Sequence, residues 1–465
     1  MIDTIKTISN FLWDNMVVYL LLIVGLYYTV KLGFPQFTKL GRGFKEAFKN
    51  IYLKDGREKD HVTSFQALAV SLAAQIGTGN ISGIASAIMV GGPGAIFWMW
   101  ISGILGMGTI FGEAVLAQTY REKKDGEVYG GPAYYLSKGM KNKKLGKILA
   151  SIFAVLIVIS LGIIGNMVQS NSISASMSEG FGIKPIVTGI VLAALVAIII
   201  SGGIKRISKV AELIIPVMIL IYIGVGIVIL AKFSSEILPA FKSIFTSAFS
   251  AQAALGGAIG ISVKEAVRLG IQRGLFSNEA GMGATPQANA IAEVDHPVKQ
   301  GLVAMVSVVI DTIIISTITA LIILVTNAHT ALDTTMNPIA VTQKGFELAL
   351  GDTGTAFLGI LLLFFAYTTM LGWYYYGESN IVYLFGKKAV VPYKILVVLA
   401  VVFGTVTHFN ALWTISDLMN ALMVIPNWIG IMFMSNIVVN QYNDWQSLEL
   451  KSRLGDDSSQ SFSCT

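Results

Sequence analysis

Gln75, Gly77, Thr78, Gly79 and Asn80 fall together in the middle of an otherwise apolar stretch, QALAVSLAAQIGTGNISGIASAIMV. Glycine inside a helix costs about 1 kcal/mol relative to alanine, so two glycines flanking a threonine weaken a helix where lipid would demand an unbroken ladder. An opened turn there bares amide N–H groups at the start of one half-helix and carbonyl oxygens at the end of the other. The first suits a carboxylate and the second a cation. A second interruption, Gly256, Gly257 and Gly260, lies in FTSAFSAQAALGGAIGISV. Glycines also let neighbouring helices pack closely. Two clusters at matching places, one flanked by Gln75, Thr78 and Asn80, favour a binding site lined by bare peptide groups.

Other polar residues sit at the depth of apolar runs. GNMVQS puts Asn166 and Gln169 three apart, on one helix face, where they either line a pocket or bond across helices. Asp311 is the deepest acid; Glu113 and Glu378 lie nearer helix ends. An unpaired charge at such depth is expensive, so Asp311 either supports a cation or is held by a nearby Ser, Thr or Asn. His61, His296, His329 and His408 lack metal-ligand spacing, and the lone Cys464 excludes an intrachain disulfide. No nucleophile with an acid–base partner is evident at depth, which argues against an enzyme. A channel would carry pore-lining rings and has no need of two broken helices around one site. The basic residues are scattered through the loops, so no nucleic-acid partner is expected, and no obligate protein partner is evident.

The elements that must carry these residues are membrane helices. Of 465 residues 54% are apolar and 13% charged, with a mean hydropathy of +0.69, values that belong in a bilayer. Apolar runs predict an all-α membrane protein with eleven spans, starting near Phe11, Phe65, Gly94, Ile148, Ile186, Val210, Ile244, Leu302, Ala356, Tyr393 and Leu412. With that segmentation 28 of the 33 Lys and Arg fall on one side, counting Lys264, Arg268 and Arg273 among them. Cations are retained in the cytoplasm, so the reading is a multi-pass protein of the cell membrane with its N-terminus outside and C-terminus inside. Residues 39–61 read as an amphipathic cytoplasmic connector, 264–300 as a long cytoplasmic connection too polar to span, and 448–465 as a polar tail.

If the two interruptions open equivalent helices five spans apart, the halves enter the membrane from opposite sides, which defines an inverted repeat. The expected organisation is an extra N-terminal helix (1–38), a connector (39–62), five core helices (63–232), five more (240–440) and a C-terminal tail (441–465).

GGPGAIFWMWISGILGMGTIFGEAVLAQ (91–118), with QIGTGNISG before it and RGLFSNEAGMGATPQANA (273–290) after it, resembles the alanine/glycine:cation symporter family over nearly the whole chain. The resemblance implies a fold similar to the leucine-transporter type, a 5+5 inverted repeat plus one helix, and alternating access driven by Na+. Its cargo would be a small neutral amino acid, alanine or glycine. It also implies a sodium site built from carbonyls of the broken first core helix, matching Ala73 and Ile76, and from the eighth, where FFAYTTMLGWYYY offers the carbonyl of Phe365 or Ala366 and the hydroxyls of Thr368 and Thr369. Oxygen donors suit a hard cation; alternatively the threonines bond back to carbonyls of their own helix. No lysine lies between Val210 and Ala231 to stand in for sodium as in a proton-driven relative, so sodium is preferred over proton coupling.

A zwitterion needs donors for its carboxylate and acceptors for its ammonium. Thr78 and Gly79 N–H groups with Gln75 or Asn80 are assigned to the first, carbonyls near Leu255, Gly256 and Gly257 to the second, and Asn166 and Gln169 to the pocket wall. Trp373 either caps the pocket or anchors at the membrane edge.

Overall fold

The computed structural model describes residues 2–49, 62–124, 126–250, 263–330 and 337–454. Almost all of it is helix, with one short hairpin pairing Glu122–Lys124 and Glu127–Tyr129. In chain order, short Pro35–Thr38 and Pro132–Gly139 aside, the helices are α1 (Ile2–Lys31), α2 (Leu40–Phe48), α3 (Ser64–Gln75), α4 (Gly79–Gly91), α5 (Gly94–Thr119), α6 (Lys143–Phe181), α7 (Pro185–Ile200) and α8 (Gly203–Lys232). They continue with α9 (Ser234–Ser247), α10 (Val263–Asn278), α11 (Pro286–Ala290), α12 (Pro297–Val325), α13 (Pro338–Leu350), α14 (Asp352–Phe385), α15 (Lys387–Val406), α16 (Phe409–Phe433) and α17 (Ser435–Leu454).

Among the described residues, eight of these helices are each long and apolar enough to cross a bilayer, and α3 with α4, bent by 51°, meets the same measure when the pair is taken as one span. Their surface is apolar outward: Leu213 and Leu220 on α8 are 72% and 69% exposed, and Ile198, Phe403 and Val391 are also open. The interior is the reverse, with Asn80, Glu113, Asn166, Glu279, Asp311 and Asn427 all inaccessible. Greasy outside and polar inside is the pattern of a chain dissolved in lipid around an internal site. Several helices start at residues suited to a first turn. Thr63 and Gln66 form a reciprocal capping box before α3, and Pro185, Pro286, Pro297 and Pro338 open their helices at positions where an N–H would be orphaned anyway. π-helical turns interrupt the ladder at Gly79–Gly83, Val158–Gly165 and Val309–Ser316, each beside a polar residue of the interior.

α5 is the central post against which the rest can be aligned. α1 and α12 pack along it, and Gly25, Gly108 and Gly103 are close approaches that leave little room for a side chain. α10 runs parallel to α5: Gly270 abuts Ala95, Gly274 abuts Ser102, and Gly106 abuts Ala280. At the far end of α5, Gln118 donates to the Asn289 carbonyl and Arg121 to that of Ala290. Residues 263–290 therefore run the full length of α5, with a break near their middle.

The reading of 264–300 as one polar connection is corrected for 264–290, which pack along α5. Hydropathy counted Lys264, Glu265, Arg268, Arg273 and Glu279 as solvated, whereas the first four form ion pairs and Glu279 is wholly buried. Lys264 meets Asp14 at 3.2 Å, Arg268 meets Glu265 at 2.5 Å, and Arg273 forms a fork with Asp417 at 2.8 and 3.0 Å. Lys264 and Arg268 pack toward the starting end of α5, beside Asp14 and Asn10 of α1. The described flanks of the span expected near 244–263, Ser247 against Gly94 and Ala266 against Gly91, both lie at the starting end of α5. Leu255, Gly256, Gly257 and Gly260 lie outside the described residues.

The C-terminal region is also more ordered than its polarity suggests. α16 ends at Phe433, and α17 continues as helix from Ser435 to Leu454. Its Trp445 takes the Lys39 ammonium 5.5 Å from the ring centre, and Glu449 meets Arg42 of α2 at 3.4 Å. The described part of the amphipathic connector, α2, packs Gly43 on Leu302.

Candidate functional site: two helix breaks joined by polar side chains

α3 ends as its glycines predict. Ile76 still donates to Leu72, but its own backbone is extended (φ −81°, ψ 96°). The next two amides leave the ladder: Gly77 N–H donates to Asn80 Oδ1 at 2.9 Å and Thr78 N–H to Gln169 Oε1 at 3.2 Å. Their helical acceptors would have been the carbonyls of Ala73 and Ala74, which the break releases. α14 lies against this opening. Thr369 Oγ1 stands 3.1 Å from the Ile76 carbonyl and 3.0 Å from that of Phe365, bridging the broken helix and its own. Thr368, by contrast, turns its hydroxyl back on Phe364 and Phe365 at 3.1 and 2.9 Å. Of the assigned oxygen donors the structure gathers Ile76, Phe365 and Thr369 at one point. Ala73 and Ala366 are buried nearby on the same two helices.

The second break follows α10, in Glu279–Thr285. Glu279, Gly281 and Gly283 have φ of +57°, +89° and +77°. At Gly281 a Cβ would also come 2.9 Å from the Trp428 indole nitrogen, and at Gly283 one would come 2.7 Å from the Phe153 ring, so only glycine meets both demands. The freed amides are collected by one acid. Glu113 of α5 accepts from Gly281 N–H at 3.0 Å, Gly283 N–H at 2.9 Å and Asn427 Nδ2 at 2.6 Å. A wholly buried carboxylate thus serves as the missing end of a helix ladder.

Two side chains tie the breaks together. Asp311, in the π turn of α12, accepts from Asn80 Nδ2 (2.7 Å), Ser277 Oγ (2.9 Å) and Thr312 Oγ1 (2.8 Å). Gln75 Nε2 donates to the Asn278 carbonyl at 2.5 Å. Asn80 is thereby engaged on both faces, toward Gly77 and toward Asp311 and Ser316. Its amide is the joint between the breaks, and it has no hand free for a carboxylate.

Gln169 reaches the first break, whereas Asn166 donates to the Gly162 carbonyl of its own helix at 2.9 Å. Trp373 is buried at the breaks rather than standing at a membrane edge. Its Nε1–H donates to Glu279 Oε1 at 2.5 Å and its ring meets Phe276 edge-on at 5.9 Å. A Cβ on Gly165 would lie 2.6 Å from that ring, which seats Trp373 against α6. Gly79, directly after the first break, faces Phe276 and Ser277.

Sequence reasoning missed Ser277, Asn278 and Glu279 as residues of the interior and gave Glu113 no task. The available signal was the run SNEAGMG, an acid between amide and glycines inside RGLFSNEAGMGATPQANA.

Residues 1–459 match the model of a family described as the sodium:alanine symporter family. Among curated relatives, the chain is 42% identical over 456 residues to the sodium/alanine symporter AgcS of Methanococcus maripaludis, covering 97% of this chain and 99% of that one. It is 41% identical over 442 residues to the probable sodium/glutamine symporter GlnT of Bacillus subtilis, covering 94% and 89%. Among solved structures it is similar to MhsT, crystallised in complex with L-phenylalanine, with a TM-score of 0.60 at 14% identity over 82% of this chain and 89% of that one. That likeness gives the leucine-transporter fold.

Proposed function

The chain belongs to the sodium:alanine symporter family and is a multi-pass secondary transporter; we propose that it carries a small neutral amino acid, alanine or glycine, into the cell together with Na+ by alternating access. The observation that carries this reading is the Thr369 hydroxyl set between the carbonyls of Ile76, at the end of a broken helix, and Phe365. Sodium takes oxygen ligands, and this is a cluster of them that α3 and α14 supply jointly. With Ala73, Ala366 and Thr368 close by, rotation of two hydroxyls turns their lone pairs toward an ion and completes a cage. Binding there favours the arrangement in which the two helices are close, and so couples ion to conformation.

The carboxylate of the amino acid is assigned to the first break, at the N–H groups of Thr78 and Gly79. Gln75, Gln169 and Asn166 are the polar wall, and Trp373 with Phe276 limits the side chain. Asn80 contributes by holding the break open. Asp311 is assigned the structural alternative, because three donors already satisfy its carboxylate; a second cation there would have to displace at least one of them.

Eleven crossings in a 5+5 inverted repeat follow from the same reading. One half is α3/α4, α5, α6, α7 and α8; the other is α10/α11, α12, α14, α15 and α16, with α1 as the extra helix. Each half then opens with a helix broken at mid-length, α3/α4 at residues 76–78 and α10/α11 at residues 279–285. The N-terminus is assigned outside and α2 and α17 to the cytoplasmic face.

The test is uptake of labelled alanine into proteoliposomes holding the purified protein. Accumulation above the outside concentration, driven by an inward sodium gradient and abolished when the gradient is collapsed, is the expected result. Flux that ignores the gradient, or chemical conversion of alanine without accumulation, would overturn the reading.

A further inference from the structure

We propose that the side chain of Glu279 receives the α-ammonium of the substrate, an inference that rests on the amino-acid reading above and assigns its cationic end. The interior around the breaks holds three buried acids with very different satisfaction. Asp311 and Glu113 each accept from three donors. Glu279 accepts from one, Trp373 Nε1–H, and its Oε2 has no hydrogen-bond partner among the described residues although the side chain is inaccessible. A buried carboxylate oxygen without a partner is costly, and a cation removes the cost. Arg273, the buried cation on α10, is committed to Asp417 through both of its terminal nitrogens, so it cannot serve.

The backbone points the same way. Glu279 has φ +57°, a conformation that Gly281 and Gly283 supply two and four residues on. A glutamate held there is retained for its side chain. The surroundings suit an ammonium better than a metal ion: one oxygen of Glu279 is engaged by an N–H, which cannot ligate sodium, and the adjoining walls are the rings of Trp373 and Phe276. An ammonium has three donors to place. Besides Glu279 Oε2, the Gln75 Oε1 acceptor is buried without a partner among the described residues, and Gln75 Nε2 already holds the Asn278 carbonyl, one residue from Glu279. The two breaks are thus one amide apart, which fits a substrate whose carboxylate and ammonium share a single carbon.

The experiment uses full-length protein in proteoliposomes, with Glu279→Gln and Glu279→Asp against the unmodified chain. It reads half-saturation for alanine, thermal stabilisation of the purified protein by sodium without substrate, and inhibition of alanine uptake by lactate, which has a hydroxyl where alanine has its ammonium. E279Q is expected to raise alanine half-saturation roughly ten- to a hundredfold, to leave sodium-induced thermal stabilisation in the absence of substrate unchanged, and to narrow the preference for alanine over lactate. E279D keeps the charge, so it should weaken alanine less and preserve that preference; it also decides the matter if the amide variant does not fold. Alanine half-saturation within twofold of the unmodified protein in E279Q overturns the assignment, as does loss of the preference for alanine over lactate in E279D. So does a loss of sodium stabilisation equal to the loss of alanine affinity, which would give Glu279 to the ion. Failure of the unmodified protein to take up alanine with sodium would instead remove the parent reading.

Discussion

At the scale of single residues, the two adjacent threonines of α14 have unequal positions. Thr369 touches the broken helix, whereas Thr368 is occupied with its own carbonyls. Removing a hydroxyl that meets an ion costs more than removing one that bonds a helix carbonyl, because contacts to charged groups are worth about 1.5–3 kcal/mol. Thr369→Ala is therefore expected to raise the sodium concentration for half-maximal uptake roughly tenfold or more, with a smaller change for T368A, measured by uptake against sodium at fixed alanine. Equal, negligible effects in both variants would take the ion away from α14. Asp311 allows a different contrast. D311N replaces an acceptor of three donors by a group that can accept fewer, so it should lower stability by about 1–3 kcal/mol, read as a fall in Tm of the purified protein. Under the structural role its ratio of sodium to alanine flux stays that of the unmodified chain; a lower ratio would make Asp311 an ion ligand. Residue types alone suggested Thr369 and Gln169, since hydroxyls and amides at depth are scarce and costly. They did not reveal that Asn80 is spent on Asp311, because that bond spans 231 residues and leaves no local trace.

At the scale of elements, the first break was legible and the second was not, for one physical reason. GTGN interrupts an apolar run, so its glycines stand out. SNEAGMG is flanked by Lys264, Arg268 and Arg273, whose charges mask a buried segment when partners elsewhere are unknown. The glycines still carried information. Gly281 and Gly283 need positive φ and have no room for a Cβ, whereas Gly224, on the exposed face of α8, has no atom within 4 Å of where its Cβ would go. Gly283→Ala is expected to destabilise by about 1–3 kcal/mol and to abolish uptake, while G224A should be neutral or stabilising by up to about 1 kcal/mol. Thermal unfolding in one detergent, with uptake measured in parallel, compares them. A harmless G283A would mean that the second break is not held in this form.

At the scale of the whole molecule, composition alone specified a lipid-dissolved bundle, and the asymmetry of Lys and Arg proposes a direction for it. What composition obscured was where residues 263–278 enter. The packing is explicit on this point: α1 and α10 both run parallel to α5, and Asp14 of α1 meets Lys264 while Asn10 meets Arg268. The start of α10 must then share a face with the N-terminus, opposite α2 and α17, which pair through Arg42 and Glu449 beyond the other end of α5. The lone native cysteine, Cys464, makes this testable. In a Cys464→Ser background, a cysteine in place of Lys264 should react with a membrane-impermeant maleimide from the same side as one in place of Lys6, and from the side opposite one in place of Lys388. If the positive charges set orientation, the Lys6 and Lys264 positions are labelled on intact cells and the Lys388 position only after permeabilisation. Labelling of the Lys264 position together with the Lys388 position would return 264–300 to the cytoplasm. It would also remove the second broken crossing, and with it the partner that Gln75 and Asp311 need to join one break to the other.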